Sequence, residues 1–155
     1  MTVCVFSDSH GHPDCMLEAI RRENPVLCFF LGDGERDLAA VRESFPDLPI
    51  HAVRGNCDIR STLPLSVRCA VGPLRIFAAH GHRYDVKHDP FFSDLRAAAL
   101  AEGCTAALFG HTHRPYLEED GPLLVLNPGS IGGQQHSYGV LLLDGQRVCP
   151  RIRYL

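Results

Sequence analysis

The sequence lacks long hydrophobic runs. Stretches such as Leu123–Leu126 and Val140–Leu143 fall far short of the roughly 20 apolar residues that span a bilayer. No basic segment follows Met1, because the chain leads directly into a strand-like pattern. These absences argue against a membrane-spanning protein and against a secretory leader, and we expect a cytoplasmic location.

An excess of positive charge and a cysteine framework are also missing. The formal net charge is −3, so no basic footprint for nucleic acid is evident. The seven cysteines form no Cys-x-x-Cys pair, which argues against a zinc knuckle or a thioredoxin-like site and favours reduced thiols. No linker or repeat divides the chain, so we expect one domain over residues 1–155. The oligomeric state stays open.

Strands that alternate with helices are predicted in the first half of the chain. The strands are Val3–Phe6, Val26–Leu31 and Ile50–Val53, and the helices are Asp14–Arg22 and Asp37–Val41. This alternation predicts a parallel sheet whose loops gather at the carboxyl ends of the strands.

The second half has a different pattern. It contains a predicted hairpin, a helix, an apolar run and four strands separated by turn residues. These elements are Ser66–Ala70, Leu74–Ala79, Asp89–Glu102, Ala106–Phe109, Tyr116–Glu119, Leu123–Leu126, Tyr138–Leu143 and Arg147–Tyr154. We expect antiparallel hairpins among the last four strands. The fold class is therefore predicted as α/β, a four-layer α/β/β/α sandwich of two mixed sheets flanked by helices.

Five predicted strand ends are followed by residues of metal-ligating types. These residues are Asp8, His10, Asp33, Asn56, His80, His111 and His113. On an extended backbone, residues two apart point to the same side, so His111 and His113 are expected to face one space. Each residue alone has an ordinary explanation as a cap, turn or loop residue. Together they would form a costly polar cluster unless a cation held it together, and the mixed oxygen and nitrogen donors fit Mn²⁺, Fe²⁺ or Zn²⁺.

The same residues form a series of motifs in a fixed order. The motifs are Asp8-x-His10, Gly32-Asp33, Gly55-Asn56-Cys57-Asp58, His80-Gly81-His82 and Gly110-His111-Thr112-His113. This order resembles the calcineurin-like metallophosphoesterases, specifically their small single-domain bacterial and archaeal phosphodiesterase branch. The resemblance covers nearly the whole chain, up to the turn at residues 127–130, and it independently implies the sandwich fold.

The resemblance implies two divalent metal ions with Mn²⁺ expected and Fe, Zn or Ni as alternatives. One ion would be held by Asp8, His10, Asp33 and His113, and the other by Asp33, Asn56, His80 and His111, with Asp33 bridging. Asp33 and Asn56 would thereby be catalytic. Two such ions would generate a hydroxide for in-line attack on phosphorus, so the expected substrate is a small-molecule phosphate ester, most simply a phosphodiester.

Residues near these motifs are further candidates. Cys57 stands where the wider superfamily has a histidine; as a thiol it could donate a proton, but we interpret it as a small packed residue. His82 and Asp58 are candidates for catalysis, and Arg114 and Asn127 for substrate binding. Two further rim candidates are His12 and Ser130, whereas His51, His88 and His136 are interpreted as ordinary surface or strand residues.

Two other functions compete with this interpretation. The thiol-phosphatase pattern Cys-x5-Arg occurs at residues 15–21 and 69–75, but it requires a glycine-rich loop before a helix, and neither copy has one. The alternative to catalysis is a non-catalytic protein-interaction scaffold of the same fold, which resembles the retromer subunit. The complete ligand set favours the enzyme.

Overall fold

The computed structural model describes all residues from Met1 to Leu155. The chain forms three helices, a 3₁₀ turn at Glu35–Asp37 and ten strands. The helices are α1 (Pro13–Glu23), α2 (Leu38–Ser44) and α3 (Ser93–Ala101). The strands are β1 (Thr2–Phe6), β2 (Leu27–Phe30), β3 (Ile50–Ala52), β4 (Ser66–Val71), β5 (Leu74–Ala79), β6 (Ala106–Leu108), β7 (Pro115–Glu118), β8 (Leu124–Pro128), β9 (Ser137–Asp144) and β10 (Arg147–Tyr154).

The strands form two mixed five-stranded sheets. The first has the order β10-β9-β1-β2-β3, and the second has the order β4-β5-β6-β8-β7. Strands β1, β2 and β3 are parallel, which confirms the expectation from the alternating pattern. Strands β5, β6 and β8 are parallel in the second sheet. The first sheet therefore has three parallel strands on one side and two antiparallel strands on the other, and the second has a parallel centre with an antiparallel strand at each edge.

Three apolar layers hold the sheets and helices together. Side chains such as Phe29 and Ile76 pack between the two sheets. The outer face of the first sheet is covered by α1 and α2, where Met16 is fully buried, and the outer face of the second is covered by α3 through Leu95. Each sheet thus buries both faces. The predicted four-layer α/β/β/α sandwich is confirmed.

One predicted hairpin is wrong. The turn at residues 127–129 was expected to join two antiparallel neighbours, but β8 lies in the second sheet and β9 in the first. Both edges of β8 are already paired, with β6 on one side and β7 on the other. The chain therefore crosses between sheets, and β9 pairs with β1 and β10 instead. The hairpins β7–β8 and β9–β10 are confirmed.

The third helix begins later than the periodicity indicated. The side chain of Asp89 accepts hydrogen bonds from the backbone N–H groups of Phe91 at 2.9 Å and Ser93 at 2.6 Å. These bonds stabilise a turn in which Phe92 is left-handed at φ 52°. Helix α3 consequently starts at Ser93 and not at Asp89. None of the helices has the length and apolar character needed to cross a membrane.

Candidate metal centre

The loops after β1, β2, β3, β5 and β6 converge at one end of the sandwich. Because parallel strands end at the same edge of their sheet, the carboxyl ends of both parallel centres meet there. These loops carry all seven candidate ligands, whose donor atoms fall into neighbouring clusters.

The first cluster joins Asp8, His10 and His113. The Nε2 atom of His113 lies 3.0 Å from Oδ1 of Asp8, and Nε2 of His10 lies 3.7 Å from the same oxygen. The two imidazoles direct their Nε2 atoms at each other, 3.3 Å apart. Asp8 is fully buried, whereas the His10 and His113 side chains are 38% and 48% exposed. This cluster therefore has a buried carboxylate at its base and an opening to solvent.

The second cluster lies around Nε2 of His80, which is fully buried. This nitrogen is 3.1 Å from Oδ1 of Asn56, 3.2 Å from Nδ1 of His111 and 3.4 Å from Oδ2 of Asp33. The other ring nitrogen, Nδ1, donates to the carbonyl oxygen of Leu31 at 2.7 Å. Since a carbonyl oxygen can only accept, Nδ1 carries a proton, and in the neutral form of the ring Nε2 presents its lone pair to the cluster.

Asp33 lies between the two clusters. A carboxylate oxygen of Asp33 lies within 4.8 Å of ring nitrogens of both His80 and His111. A carboxylate oxygen of Asp33 also lies within 4.8 Å of a ring nitrogen of His10. Its Oδ1 accepts a hydrogen bond from the backbone N–H of Cys57 at 2.8 Å, which fixes the carboxylate against the loop after β3. One carboxylate thus faces ligand-type atoms on two sides.

Five of the seven candidate ligands have a left-handed backbone. Their φ angles are 56° for Asp8, 44° for His10, 59° for Asp33, 68° for His111 and 58° for His113. Such a conformation costs roughly 1–2 kcal/mol for a residue with a Cβ, and residues of this kind concentrate at functional sites. The cost indicates that packing elsewhere holds these loops in the geometry of the site.

The same backbone geometry corrects one prediction. His111 and His113 do not follow an extended strand, because β6 ends at Leu108 and both histidines are left-handed. They do not face one space, since His111 lies with His80 and His113 lies with Asp8. The alternation argument for these two histidines is therefore wrong.

Two glycines allow the close approach of these loops. A Cβ on Gly110 would lie 1.8 Å from Oγ of Ser7 and 2.9 Å from Oδ2 of Asp8. A Cβ on Gly55 would lie 2.0 Å from Oδ1 of Asp33. Any larger residue would push the carboxylates of Asp8 and Asp33 away.

The donor set fits a divalent cation. The Oδ1 atom of Asp8 is buried and accepts no well-formed hydrogen bond, while the Nε2 atoms of His113 and His10 lie 3.0 and 3.7 Å from it. This arrangement is costly unless a cation or another positive group compensates it. Neighbouring donor atoms are separated by 3.0 to 3.4 Å, a spacing expected for atoms bound to one ion at about 2.1 Å. The oxygen and imidazole mixture suits transition-metal ions.

The charges of the site are strongly coupled. Burial would raise the pKa of Asp33, but hydrogen bonds with His80 and the Cys57 backbone outweigh it and lower that pKa. Burial would lower the pKa of His80, but the Asp33 and Asp8 carboxylates raise it. Burial and the neighbouring His80 lower the pKa of His111 to about 4. Asp33 is therefore ionised and His111 is neutral near pH 7, the forms in which these side chains can bind a metal ion.

Cys57 is not a packed residue. Its side chain is exposed, and its Sγ atom lies in a cluster with His10 and Asp33. The amide nitrogen of Asn56 approaches this sulfur at 3.4 Å. Partial desolvation of the sulfur is the largest cause that raises the pKa of the thiol, and the hydrogen bond and negative charge of Asp33 raise it further. The packed-residue interpretation is wrong, and a protonated thiol lines the site.

Asp58 supports the loops around Asp33. Its Oδ2 accepts hydrogen bonds from the backbone N–H groups of Asp33 and Gly55, each at 2.8 Å. Its Oδ1 accepts from Gly34 and Glu35, each at 3.0 Å. Burial would raise the pKa of Asp58, but these four donors lower it. The carboxylate thus ties the loops after β2 and β3 together, which favours a positioning role over proton transfer.

Two predicted rim residues lie in the interior. Asn127 is fully buried, and its Nδ2 donates to the carbonyl oxygen of Gly110 and to Oγ1 of Thr112, each at 3.0 Å. Its Oδ1 accepts from the N–H of Gly129 at 2.9 Å. Ser130 is also buried, and its hydroxyl donates to the carbonyl oxygen of Asp8 at 2.7 Å. Neither is placed to contact substrate, so the substrate-binding prediction for Asn127 is corrected to a structural one.

The other predicted candidates lie around the second cluster and the rim. His82 lies beside His80 and His111, with ring centroids 5.4 and 6.2 Å away, and its buried Nδ1 has no partner. Burial and the charges of His80 and Arg83 lower its pKa. Arg114 and His12 are exposed.

Sequence reasoning missed residues that brace the loops. Ser7 donates to Oδ2 of Asp8 at 2.5 Å. Oδ2 of Asp37 accepts from Oγ of Ser9 at 2.5 Å and from the N–H of Gly11 at 2.9 Å. The serines on both sides of Asp8 could have indicated hydrogen bonds that brace this loop. Nothing in the sequence indicates that Asp37 contacts the same loop.

Three comparisons with known proteins concern the family and the fold. The family model described as the calcineurin-like phosphoesterase superfamily domain matches residues 1–147. The phosphodiesterase YfcE of Escherichia coli K12 is 32% identical over 169 residues, covering 91% of this chain and 87% of that protein.

Crystal structures of two other proteins resemble the fold. A conserved uncharacterized protein of Streptococcus pneumoniae TIGR4, described as a predicted phosphoesterase, superposes with a TM-score of 0.81 at 29% identity, covering 99% of this chain and 88% of that one. Wild-type Vps29 of Entamoeba histolytica, complexed with Zn²⁺, gives a TM-score of 0.78 at 20% identity, covering 100% and 98% of the two chains. The second likeness shows the fold alone.

Proposed function

The chain belongs to the calcineurin-like phosphoesterase superfamily, and we propose that it is a phosphodiesterase that uses two divalent metal ions. The membership itself indicates a metal-dependent hydrolase of phosphate esters. The number of ions, the preference for diesters and the residue assignments below are our proposal.

The position of Asp33 carries this proposal. Its carboxylate has ligand-type neighbours on two sides, His10 on one and His80 with His111 on the other. One ion would take Asp8, His10 and His113 together with Asp33, and the second would take Asn56, His80 and His111 together with Asp33. A shared carboxylate is the simplest way for seven side chains to serve two ions, which we expect to be Mn²⁺, with Fe, Zn or Ni as alternatives.

The residues of the chain position the reaction. Bound divalent cations would supply a water of lowered pKa and neutralise charge on phosphoryl oxygens. His80 is oriented by its hydrogen bond to the carbonyl oxygen of Leu31, and Asp8 by the donors Ser7 and His111 N–H. Because these contacts are made before substrate arrives, little reorganisation is required during the reaction. Arg114 is exposed beside His113 and would contact a phosphoryl oxygen.

The residues around the leaving group favour diesters with good leaving groups. The loop after β3 reads Gly55-Asn56-Cys57-Asp58 and has no imidazole, while Asp58 is committed to four backbone donors. We propose that the protonated thiol of Cys57 does not act as the acid, so that departure of a poor leaving group is slow. The relative YfcE is named a phosphodiesterase, which supports the same preference.

The alternative is a protein-interaction scaffold that does not catalyse. It is favoured by the likeness to Vps29, although at 20% identity that likeness extends only to the fold. The enzyme is favoured because the chain retains a complete set of donors and a buried, unsatisfied oxygen of Asp8.

Metal content and turnover together test the proposal. Purified protein should contain divalent metal by elemental analysis and should hydrolyse bis(p-nitrophenyl) phosphate. Chelation should abolish turnover, and added Mn²⁺ should restore it with two ions per chain. The His88→Ala variant is the control, because His88 is exposed and pairs only with Asp85. Full turnover after verified metal loss would refute the proposal.

A further inference from the structure

A wide cleft opens on one side of the candidate metal centre. Its volume is about 970 Å³, and His10, Asp33 and Cys57 line its inner end. The outer end is formed by α2, the 3₁₀ turn before it and the loop after β3. This volume is near the upper end of the range of roughly 300–1,000 Å³ that small-molecule sites occupy. The cleft is therefore larger than a phosphate group alone requires.

Three arginines line the outer part of this cleft. They are Arg36 in the 3₁₀ turn, Arg42 in α2 and Arg60 in the loop after β3. All three are exposed, and none of their guanidinium groups makes a hydrogen bond or an ion pair within the chain. By contrast, Arg22 and Arg96 are paired with glutamates. The cleft thus holds guanidinium groups that are free to bind an anion.

Three of the four acidic residues of the cleft already have other partners. Asp37 accepts hydrogen bonds from Ser9 and Gly11, and the carboxylate of Asp58 is occupied by four backbone donors. Asp33 belongs to the candidate metal centre. Only Glu35 leaves an uncommitted carboxylate among the lining residues. The three guanidinium groups therefore have only the carboxylate of Glu35 left to pair with, although the other three lining carboxylates keep their negative charge.

An apolar side chain borders the same cleft. Ile59 is 89% exposed, although it is a large aliphatic residue, and it lies between Cys57 and Arg60. An exposed aliphatic side chain in a cleft offers a surface for an uncharged organic group. The cleft therefore combines part of the ligand cluster, an apolar side chain and three guanidinium groups.

We infer that the cleft selects a phosphodiester whose organic arm carries a second phosphate group. The scissile phosphodiester would lie at the metal centre, the organic arm would contact Ile59, and the second phosphate would be bound by Arg36, Arg42 and Arg60. Guanidinium groups suit this task because they form paired hydrogen bonds with phosphate oxygens. This inference rests on the proposed function and adds the substrate class to it.

A matched pair of substrates tests the inference. One is thymidine 5′-(p-nitrophenyl phosphate), and the other differs only by a phosphate on the 3′ oxygen. In the wild type we expect kcat/KM to be about tenfold higher for the 3′-phosphorylated ester, because a few exposed charge-assisted contacts contribute on that order. In the Arg36→Gln/Arg42→Gln/Arg60→Gln variant this ratio should fall towards one. The Arg153→Gln control changes an exposed arginine on β10, at the opposite edge of the first sheet from β3, and should keep the wild-type ratio.

Calorimetric binding gives a readout that does not depend on turnover. Thymidine 3′,5′-bisphosphate should bind Mn²⁺-loaded wild type more tightly than thymidine 5′-phosphate does, and the triple variant should lose the difference. Thermal melts of the variants establish that they are folded. Equal binding of the two nucleotides to the wild type, or a preference that survives in the triple variant, would overturn the inference while leaving the hydrolase intact. Tighter bisphosphate binding without turnover of either ester would support the phosphate subsite and refute the proposed function.

Discussion

Replacing Asp58 separates a positioning role from a catalytic one. Its carboxylate accepts four backbone hydrogen bonds of 2.8 to 3.0 Å, from residues of the loops after β2 and β3. One of these donors is the N–H of Asp33, the residue between the two ligand clusters. Removing the carboxylate should therefore both destabilise the fold and loosen the candidate metal centre.

The expected destabilisation follows from the number of donors left unpaired. Each buried donor that loses its acceptor costs about 1–3 kcal/mol, but Asp58 is only half-buried, so water replaces part of the loss. We expect Asp58→Ala to lower the free energy of unfolding by about 3–5 kcal/mol. For a chain of this size that corresponds to a fall in Tm of roughly 6–20 °C. Asp58→Asn keeps one acceptor oxygen and should cost roughly half as much.

The pH dependence provides a second signature. The folded pKa of Asp58 lies below its ordinary value because of the backbone donors, which outweigh burial. Its contribution is therefore fully present above the unfolded pKa of about 3.9 and is lost as pH falls through the folded pKa. The difference in stability between wild type and Asp58→Asn should be constant near neutral pH and shrink below about pH 4.

Denaturant unfolding and metal titration measure these effects, with Asp47→Asn as the control because Asp47 is exposed and makes no hydrogen bond. Metal affinity should fall by about 10- to 100-fold in Asp58→Asn, and excess Mn²⁺ should restore much of the turnover. Unchanged stability and metal affinity, together with lost turnover at saturating Mn²⁺, would contradict the positioning role and assign Asp58 to proton transfer.

Three further predictions concern the ligands, the thiol and the loop support. Asp33→Asn should reduce metal content and turnover more than His10→Ala, because Asp33 faces both clusters; near wild-type activity with two bound ions would refute the ligand assignment. Aryl diesters should be cleaved far better than alkyl monoesters, and Cys57→Ala should change the hydrolysis rates little. Cys57→His should flatten the dependence of rate on leaving-group pKa, because a general acid contributes about 10²–10⁴-fold. A collapse of alkyl ester hydrolysis in Cys57→Ala would show that the thiol is the acid. Asn127→Ala should lower the free energy of unfolding by about 2–4 kcal/mol by removing three buried hydrogen bonds; a stability equal to wild type in chemical denaturation would contradict its structural role.

The sequence determined the layered fold and the ligand types. Alternating strand and helix patterns predict the parallel strands of the first sheet. Each apolar strand must be buried, and each helix leads the chain back to the edge of the sheet where the next parallel strand begins. Polar residues that directly follow apolar strands must then meet at one edge, which is why Asp8, Asp33 and His80 could be identified without coordinates. These inferences depend only on local pattern and on the geometry of parallel strands.

Tertiary structure decided how the loops are arranged. The sheet in which β9 lies depends on which edges are already paired, and this is a long-range property that no turn sequence encodes. The separation of His111 from His113 depends on left-handed backbone angles held by packing, so a strand-based argument could not find it.

The same reason explains the misjudged side chains. Asn127 precedes Pro128-Gly129 and Cys57 follows Gly55-Asn56, so both stand in turn-like sequence. Asn127 is nevertheless buried and makes three hydrogen bonds, whereas Cys57 is exposed in the cleft. No motif in the sequence singles out Arg36, Arg42 and Arg60. They line one cleft only because the 3₁₀ turn, α2 and the loop after β3 border the same space. Local pattern determines which residue types stand at the strand ends, whereas burial and neighbours, which decide what each residue does, arise from contacts between distant segments.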